Sequence, residues 1–488
     1  MKSGSLFIFF LLFIRLAVNG QAIASLSKET KEKIQQVENN LAGRFQIEGE
    51  LPGTIKERMA YYKVKGLSIA VIHHYKIEWV KGYGWADEDL KIRVTDHTLF
   101  QAASVSKSLN AVGVLKLVQD KKIDLYADIN QYLTSWKFPY DSLSKNKKIS
   151  VANLLSHTGG LNVHGFGGYA HGLPVPTVVQ VLNGSKPANS DPVHSIAEPG
   201  INSEYSGGGV TISQMIVMDV SKEPYDKFMA ENVLKPMGMI NSTFTQPPVG
   251  IKSQLLATAY REDGKEIPGK YNIYPEQAAA GLWTNPTDLS TYIIETQLAY
   301  QGKSAKVLDQ QTTRLRLTPY IDKNTGLGCA ILDFNGVKYF NHSGSNEGFR
   351  SEYYGSFENG NGLVIMLNSD NGKIIQEIVN SIAKAYQFEG LYQSKTIKKV
   401  IVDHTTLQSY VGEYAMAANF TLTVSVENGQ LSVLPTGHDK ALFLPESQNE
   451  FYFDQAGIEL EFTKNEKGTV DKIIVHQGGG TQIAKRIK

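Results

Sequence analysis

A serine and a lysine stand three residues apart in Phe100-Gln-Ala-Ala-Ser-Val-Ser-Lys107. On a helix that spacing puts both side chains on one face. If a helix starts here, Ser104 sits in its first turn, where unpaired backbone N–H groups and the helix dipole favour developing negative charge. A serine hydroxyl is a weak nucleophile near neutral pH and needs a base beside it. Burial disfavours the charged form of an amine, so a lysine held close in a desolvated site can take the serine proton. Ser104 and Lys107 are therefore candidates for acyl transfer through a covalent acyl-serine.

The same Ser-x-x-Lys spacing recurs at Ser25/Lys28, Ser142/Lys145, Ser144/Lys147 and Ser381/Lys384. The first three lie in polar stretches and read as solvated surface. The fourth falls near the end of a helical pattern, away from the favourable dipole. Ser104 is set apart by the run on its C-terminal side. Leu109-Asn-Ala-Val-Gly-Val-Leu-Lys-Leu-Val118 is apolar almost all round, the pattern of a buried central helix. A lysine at the start of such a helix lies near the core, where an unpaired charge is costly. The competing reading makes Ser104 a helix cap and lets Lys107 snorkel to water.

Two further motifs carry side chains suited to the same chemistry. Glu198-Pro-Gly200 leads into Glu204-Tyr-Ser-Gly-Gly-Gly209. The glycines allow close backbone approach, and the Tyr205 phenol could share a proton with a lysine and then donate to a leaving group. Asn341-His-Ser-Gly-Ser-Asn-Glu-Gly-Phe-Arg-Ser351 precedes strand residues and could lay a strand edge beside the site, with a backbone N–H facing an oxyanion. His342 would then line that site. Taken singly, Tyr205 also reads as a structural aromatic and His342 as a solvated loop residue.

These motifs need elements to hold them. Residues 66–74 and 76–83 read as a β-hairpin, and strand character returns at 336–340, 350–357 and 362–369. The last run is nearly continuously apolar, like a strand covered on both faces. Helical patterns dominate from Ser104 to about Met237, and 373–386 closes the unit as an amphipathic helix. Early strands, a helical middle and late strands predict one sheet with a helical insertion. After a connector at 391–406, residues 407–488 show short alternating strands separated by turns, a small all-β barrel or sandwich. The predicted division is therefore 1–24 as an export signal, 25–390 as the main domain, 391–406 as a linker and 407–488 as the β module.

Bulk properties narrow the function. The 488 residues carry 42% hydrophobic and 20% charged residues and a net charge of +1, an ordinary globular composition that gives no reason to expect nucleic acid or an anionic membrane as partner. Lys2 followed by Leu6-Phe-Ile-Phe-Phe-Leu-Leu-Phe-Ile14 reads as a signal peptide, with small-residue cleavage sites after Gly20 or Ala24. Arg15 interrupts the apolar run short of the ~20 residues a membrane span needs. The expected address is periplasmic or secreted, with no membrane span in the mature chain. Cys329 is the single cysteine and reads as a small core residue.

Taken in order, the three motifs resemble those of the class C β-lactamase/penicillin-binding-protein family of serine hydrolases. The resemblance covers roughly residues 55–386 and extends to Leu154-Leu-Ser-His-Thr-Gly-Gly-Leu161, Ala278-Ala-Ala-Gly-Leu-Trp-Thr-Asn-Pro-Thr-Asp-Leu289 and Gly348-Phe349. It implies an α/β (α+β) fold, an antiparallel sheet flanked by helices with a helical subdomain and the site between them. It implies Ser104 as nucleophile, Lys107 as general base or its electrostatic support, and Tyr205 in the proton traffic. The backbone N–H groups of Ser104 and Ser345 would form the oxyanion hole, with His342 and Gly344 against the substrate. The family needs no metal or other cofactor, and His157 and His164 lie on a glycine-rich loop without the clustered carboxylates of a zinc site.

Two departures matter. Tyr205-Ser-Gly207 lacks the asparagine that β-lactamases carry two residues after the tyrosine. His342 stands where many relatives carry a lysine that helps bind a β-lactam carboxylate. Histidine is mostly neutral near pH 7, and a charged contact of this sort contributes roughly 1.5–3 kcal/mol. The expectation is an exported serine hydrolase for a small ester, amide or D-amino-acid peptide. The alternatives are a D-Ala-D-Ala carboxypeptidase or weak β-lactamase, and a non-catalytic binding or sensing protein on the same fold.

Overall fold

The strand Gly66–His73 sets the layering. Leu67, Ile69 and Val71 point to one face, Ala70 and Ile72 to the other, and all five are fully buried. A strand with no wet face needs cover on both sides. The computed structural model supplies it over the residues it describes, 26–144, 146–398, 400–453, 456–477 and 480–488. The signal expected at 1–24 lies outside them. One face meets helices Lys28–Asn39 and Ile374–Tyr386 through Ile34, Val37, Ile378 and Ile382. The other meets Ser106–Gln119 and Pro286–Tyr300, and Gly207–Ser221 packs behind them to complete the larger core.

The seven-stranded sheet is antiparallel throughout, in the order Ile92–Arg93, Lys76–Asp87, Gly66–His73, Gly362–Leu367, Phe349–Ser356, Val337–Asn346, Ala330–Phe334. The early hairpin and the late strands thus join in one sheet, with Ile69 opposite Ile365. Everything between residues 94 and 329 is an insertion on one face. Helical residues are fewer than the pattern predicted: Val151–Leu155 and Val178–Asn183 are short and lie among irregular stretches, whereas Tyr225–Met229 continues through Ala230–Leu234 into Lys235–Met237. Glycine and proline between residues 156 and 206 account for this.

Two local expectations need correcting. Helix formation does not begin at Ser104: a single 3₁₀ turn, Ala103–Val105, carries the serine, and the α-helix runs from Ser106 to Gln119. The strand predicted at 336–340 does not stop before the motif but extends through it as Val337–Asn346. Asn, Ser and Gly have low strand propensity and concealed this extension.

Beyond the sheet, eight antiparallel strands from Gly412 to Arg486 close into a barrel, with Gly412–Ala417 pairing Gly480–Arg486 at the seam. Neither seam strand was evident in the sequence. The segment before the barrel is structured. Lys395–Ile397 pairs in parallel with Phe45–Ile47, and Asp403 caps the short helix His404–Tyr410. This two-stranded strap abuts the barrel. Phe45 packs on Tyr452 at 4.3 Å between ring centroids, and Lys395 bonds Glu446 at 2.5 Å. Among the described residues no helix is long and apolar enough to cross a membrane.

Candidate active site

The turn bearing Ser104 is pinned on every side. The Ala102 N–H donates to the Leu282 carbonyl at 2.8 Å, and the Ala102 carbonyl accepts from Ser351 Oγ at 2.8 Å. Ser106 Oγ donates to the Ala103 carbonyl at 2.5 Å and accepts from the Leu282 N–H at 3.0 Å. Between these anchors Ala103 takes φ +50°, a left-handed conformation costly for a residue with a Cβ. Of residues 101–110, only Ser104 is not buried. The strained turn therefore delivers one hydroxyl to solvent, at the start of a helix whose first N–H groups lack helical acceptors.

Lys107 does not snorkel. It is 3% exposed, and its Nζ lies 3.0 Å from Ser104 Oγ and 2.8 Å from the Ala279 carbonyl. The Tyr205 ring centroid is 4.9 Å from the same nitrogen. Tyr205 is 39% exposed, so it forms the wet wall of the cluster while Lys107 forms its floor.

Histidines frame this group. The His157 ring packs on Tyr205 at 4.3 Å between centroids, and His342 lies 6.4 Å from the same ring. His157 Nδ1 accepts the Ser206 N–H at 3.2 Å, which leaves the proton of the neutral ring on Nε2. Burial, reinforced by the charge of Lys107, pushes His157 down to about 3 and His342 down to about 4. Both imidazoles are therefore neutral near pH 7. His342 Nδ1–H donates to the Ser343 carbonyl at 2.6 Å. Neither ring supplies a fixed cation.

The third motif contributes a strand edge. Ala330–Phe334 pairs with Val337–Asn346 only as far as Asn341, so residues 342–346 have no strand neighbour on that side among the described residues. Asn346 faces Phe349 across a two-residue turn, which makes them the hydrogen-bonded pair. Ser345, one residue back, must then send its N–H away from Phe349–Ser356 and out of the free edge. Its side chain lies on the opposite face, in a separate cavity of about 320 Å³ with Arg44 and Glu352. Gly344 is what brings the edge to the serine. A Cβ there would sit 2.1 Å from the Ala102 carbonyl oxygen and 2.4 Å from Ser351 Oγ.

The structure thus brings Ser104, Lys107, Tyr205, His342 and the 344–345 edge together. Gly207, two residues after Tyr205, has no side chain, and a Cβ there would begin 3.0 Å from the Phe166 ring. Sequence reasoning missed three contributors: the strained Ala103, the Ala279 carbonyl and His157. His157 was visible only as part of a motif, and nothing local says that its ring faces Tyr205. Beneath Ala279, at the start of the same turn, Glu276 is fully buried, and neither carboxyl oxygen makes a well-formed hydrogen bond among the described residues. Burial pushes its carboxyl up to about 8, and its own backbone N–H and then the Tyr169 hydroxyl offset this only in part. The molecule's 880 Å³ cleft lies elsewhere, around Trp85 and Lys65. Among the described residues no group of three or more His, Cys, Asp or Glu is placed to hold a metal ion.

Comparison with known proteins gives a family and a fold. Residues 51–380 match the family described as Beta-lactamase, and residues 396–485 match a domain of unknown function, DUF3471. Protein flp of Staphylococcus aureus strain N315 is 24% identical over 329 residues, which cover 65% of this chain and 62% of that protein. The chain therefore spans less than two thirds of the length of these relatives. The octameric penicillin-binding protein homologue from Pyrococcus abyssi superposes with a TM-score of 0.62 at 20% identity, covering 88% of this chain and 98% of that one. The D-amino acid amidase from Ochrobactrum anthropi SV3, complexed with L-phenylalanine, gives 0.57 at 20% identity, covering 74% and 99%.

Proposed function

The chain belongs to the Beta-lactamase family of penicillin-binding-protein-like serine hydrolases, and from that premise we propose that it cleaves a small ester, amide or D-amino-acid peptide through an acyl-serine intermediate. The observation that carries this reading is the 3.0 Å contact between Lys107 Nζ and Ser104 Oγ on a buried floor. In the proposed reaction Ser104 Oγ attacks the substrate carbonyl carbon and its proton passes to Lys107, which acts as the free amine in this step. The oxygen, now anionic, is held by the N–H groups of Ser104 and Ser345. Tyr205 relays the proton to the leaving alcohol or amine as the carbon–heteroatom bond breaks. Water then attacks the acyl-serine, its proton returns through the same groups, and the acid leaves.

One feature favours neutral substrates over carboxylates. His342 is neutral at working pH, so the position offers no fixed positive charge. Gly207 leaves the substrate amide without a side-chain contact from that position. The D-amino acid amidase neighbour supports amide cleavage. The penicillin-binding-protein homologue keeps a D-Ala-D-Ala carboxypeptidase or weak β-lactamase as the second reading. The apolar run at 6–14 supports export of the enzyme to the periplasm or medium.

The test is activity profiling on p-nitrophenyl esters, D- and L-aminoacyl p-nitroanilides and nitrocefin, with Ser104 labelling by a fluorophosphonate and by a fluorescent penicillin. The proposal expects ester or anilide turnover, fluorophosphonate labelling and weak penicillin labelling. Strong penicillin labelling would move the assignment to the second reading, and labelling by neither reagent would leave a non-catalytic protein.

A further inference from the structure

The two ends of the C-terminal barrel are built differently. At one end the interior is solid. Leu407 and Tyr410 of the short helix cover it, Tyr410 stacks on Phe462 at 4.3 Å, and Phe462 meets Phe451 edge-on at 5.7 Å. The phenols are satisfied: Tyr414 donates to the Tyr410 carbonyl at 2.8 Å and Tyr410 to the Gln448 carbonyl at 2.9 Å. At the other end Leu422, Val433, Phe443, Leu460 and Val475, each 2–8% exposed, form the floor of a cavity of about 710 Å³ whose walls are the half-buried Met416, Phe420, Phe453 and Ile458. Eight-stranded barrels of this kind are either filled by their own side chains or hold one small ligand. This one is filled by its own side chains at one end and opens into the cavity at the other.

An apolar hollow weakens a small domain, because the walls lose packing partners. Its size falls in the range of about 300–1,000 Å³ typical of small-molecule sites. The mouth adds a polar rim. Strand alternation carries the inner face from Val475 to Gln477 and from Ala484 to Gln482, so two exposed amides point inward at the opening. At the rim Lys440 is bonded to Glu427 at 2.6 Å, Asp439 beside it would repel an anion, and His438 adds a further hydrogen-bonding ring. Apolar walls with a hydrogen-bonding rim on which the Lys440 charge is outweighed by Glu427 and Asp439 suit a molecule with one apolar end and one uncharged polar end.

We propose that the open end of the C-terminal barrel is a binding site for an uncharged amphiphile, with an acyl or aromatic tail among Leu422, Phe443 and Leu460 and a hydroxyl or amide head at Gln477 and Gln482. This site is separate from the Ser104 cluster and does not depend on the proposed hydrolysis. The test uses the full chain and the neutral probe N-phenyl-1-naphthylamine, whose fluorescence rises in apolar surroundings, with 1-decanol and sodium decanoate as competitors. Saturable binding of one probe per chain is expected, displaced at least tenfold more readily by decanol than by decanoate. Leu422→Trp, which fills the cavity, and Gln482→Trp, which blocks its mouth without entering the core, should each weaken binding at least tenfold. Should Leu422→Trp fail to fold, Gln482→Trp decides alone. Ser104→Ala should change nothing. Absence of saturable binding, binding indifferent to both barrel variants, or binding lost in Ser104→Ala overturns the site. Equal displacement by decanoate overturns the uncharged head.

Discussion

Gly344 is the sharpest place to test whether the strand edge works with the serine. In Gly344→Ala the new methyl would lie 2.1 Å from the Ala102 carbonyl oxygen, a separation that real side chains do not reach. The neighbour cannot swing aside, since Ala102 is held by Leu282 and by Ser351. Restoring a tolerable contact therefore moves the strand and the serine turn apart by about 1 Å. A misplacement of that size in a positioned catalytic group costs on the order of 10²-fold in rate. Overpacking of this kind also costs about 1–3 kcal/mol of stability. The assay is turnover of a p-nitrophenyl ester at temperatures where urea denaturation shows the variant fully folded. The expected result is a fall in kcat of about 10²-fold with little change in KM. Gly165→Ala is the matched control, because Gly165 also lies near the site yet a Cβ there meets nothing within 4 Å. If folded Gly344→Ala keeps more than about a third of wild-type kcat, the edge is not part of the machinery and the reasoning from its register fails.

Other expectations are independent of that one. Ser104→Ala should abolish turnover and fluorophosphonate labelling while unfolding at the wild-type urea midpoint, and Lys107→Ala should lower kcat by about 10²–10⁴-fold; a change confined to KM would make the lysine a binding residue. His342→Lys should raise nitrocefin turnover relative to p-nitrophenyl acetate, roughly ten- to a hundredfold if a charged contact of about 1.5–3 kcal/mol forms; an unchanged ratio dismisses the position as a charge selector. Glu276→Gln should alter how stability follows pH. The unfolded carboxyl ionises above its ordinary 4.5 whereas the folded one stays protonated up to about 8, so wild type loses about 1.4 kcal/mol per pH unit against the variant as pH rises from 5 to 8. Parallel urea midpoints for the two proteins across that range would mean that Glu276 is ionised in the fold.

Residues that act through local pattern were legible, and residues that act through a partner far along the chain were not. Leu109–Val118 announced a buried helix because every side of it is apolar, and the structure buries it. Ser104 and Lys107 were readable because three residues on a helical path suffice to bring them together. The strand carrying Gly344 was hidden because its polar composition suits a loop; pairing with Phe349–Ser356 overrides the weak propensity. His157 meets Tyr205 only because residues 156–163 and 204–208 run against each other, with Glu204 N–H on the His157 carbonyl and Gly208 N–H on the Val163 carbonyl. No spacing rule encodes that contact. The same holds for the Ala279 carbonyl, a backbone atom with no side-chain signature, and for the seam strands of the barrel, whose turns gave no clear break.

The parallel strap between Phe45–Ile47 and Lys395–Ile397 has a consequence in time. About 350 residues separate its halves, so at a synthesis rate of roughly 5–20 residues per second the first half waits on the order of 20–70 s for the second to be made. Until then Phe45 has no Tyr452 to pack on, and the edge of that short strand is open to other chains. The strap is therefore a late event of biogenesis. Once formed, it joins two segments made far apart in time, and a chain cut short before residue 395 would carry that open edge permanently.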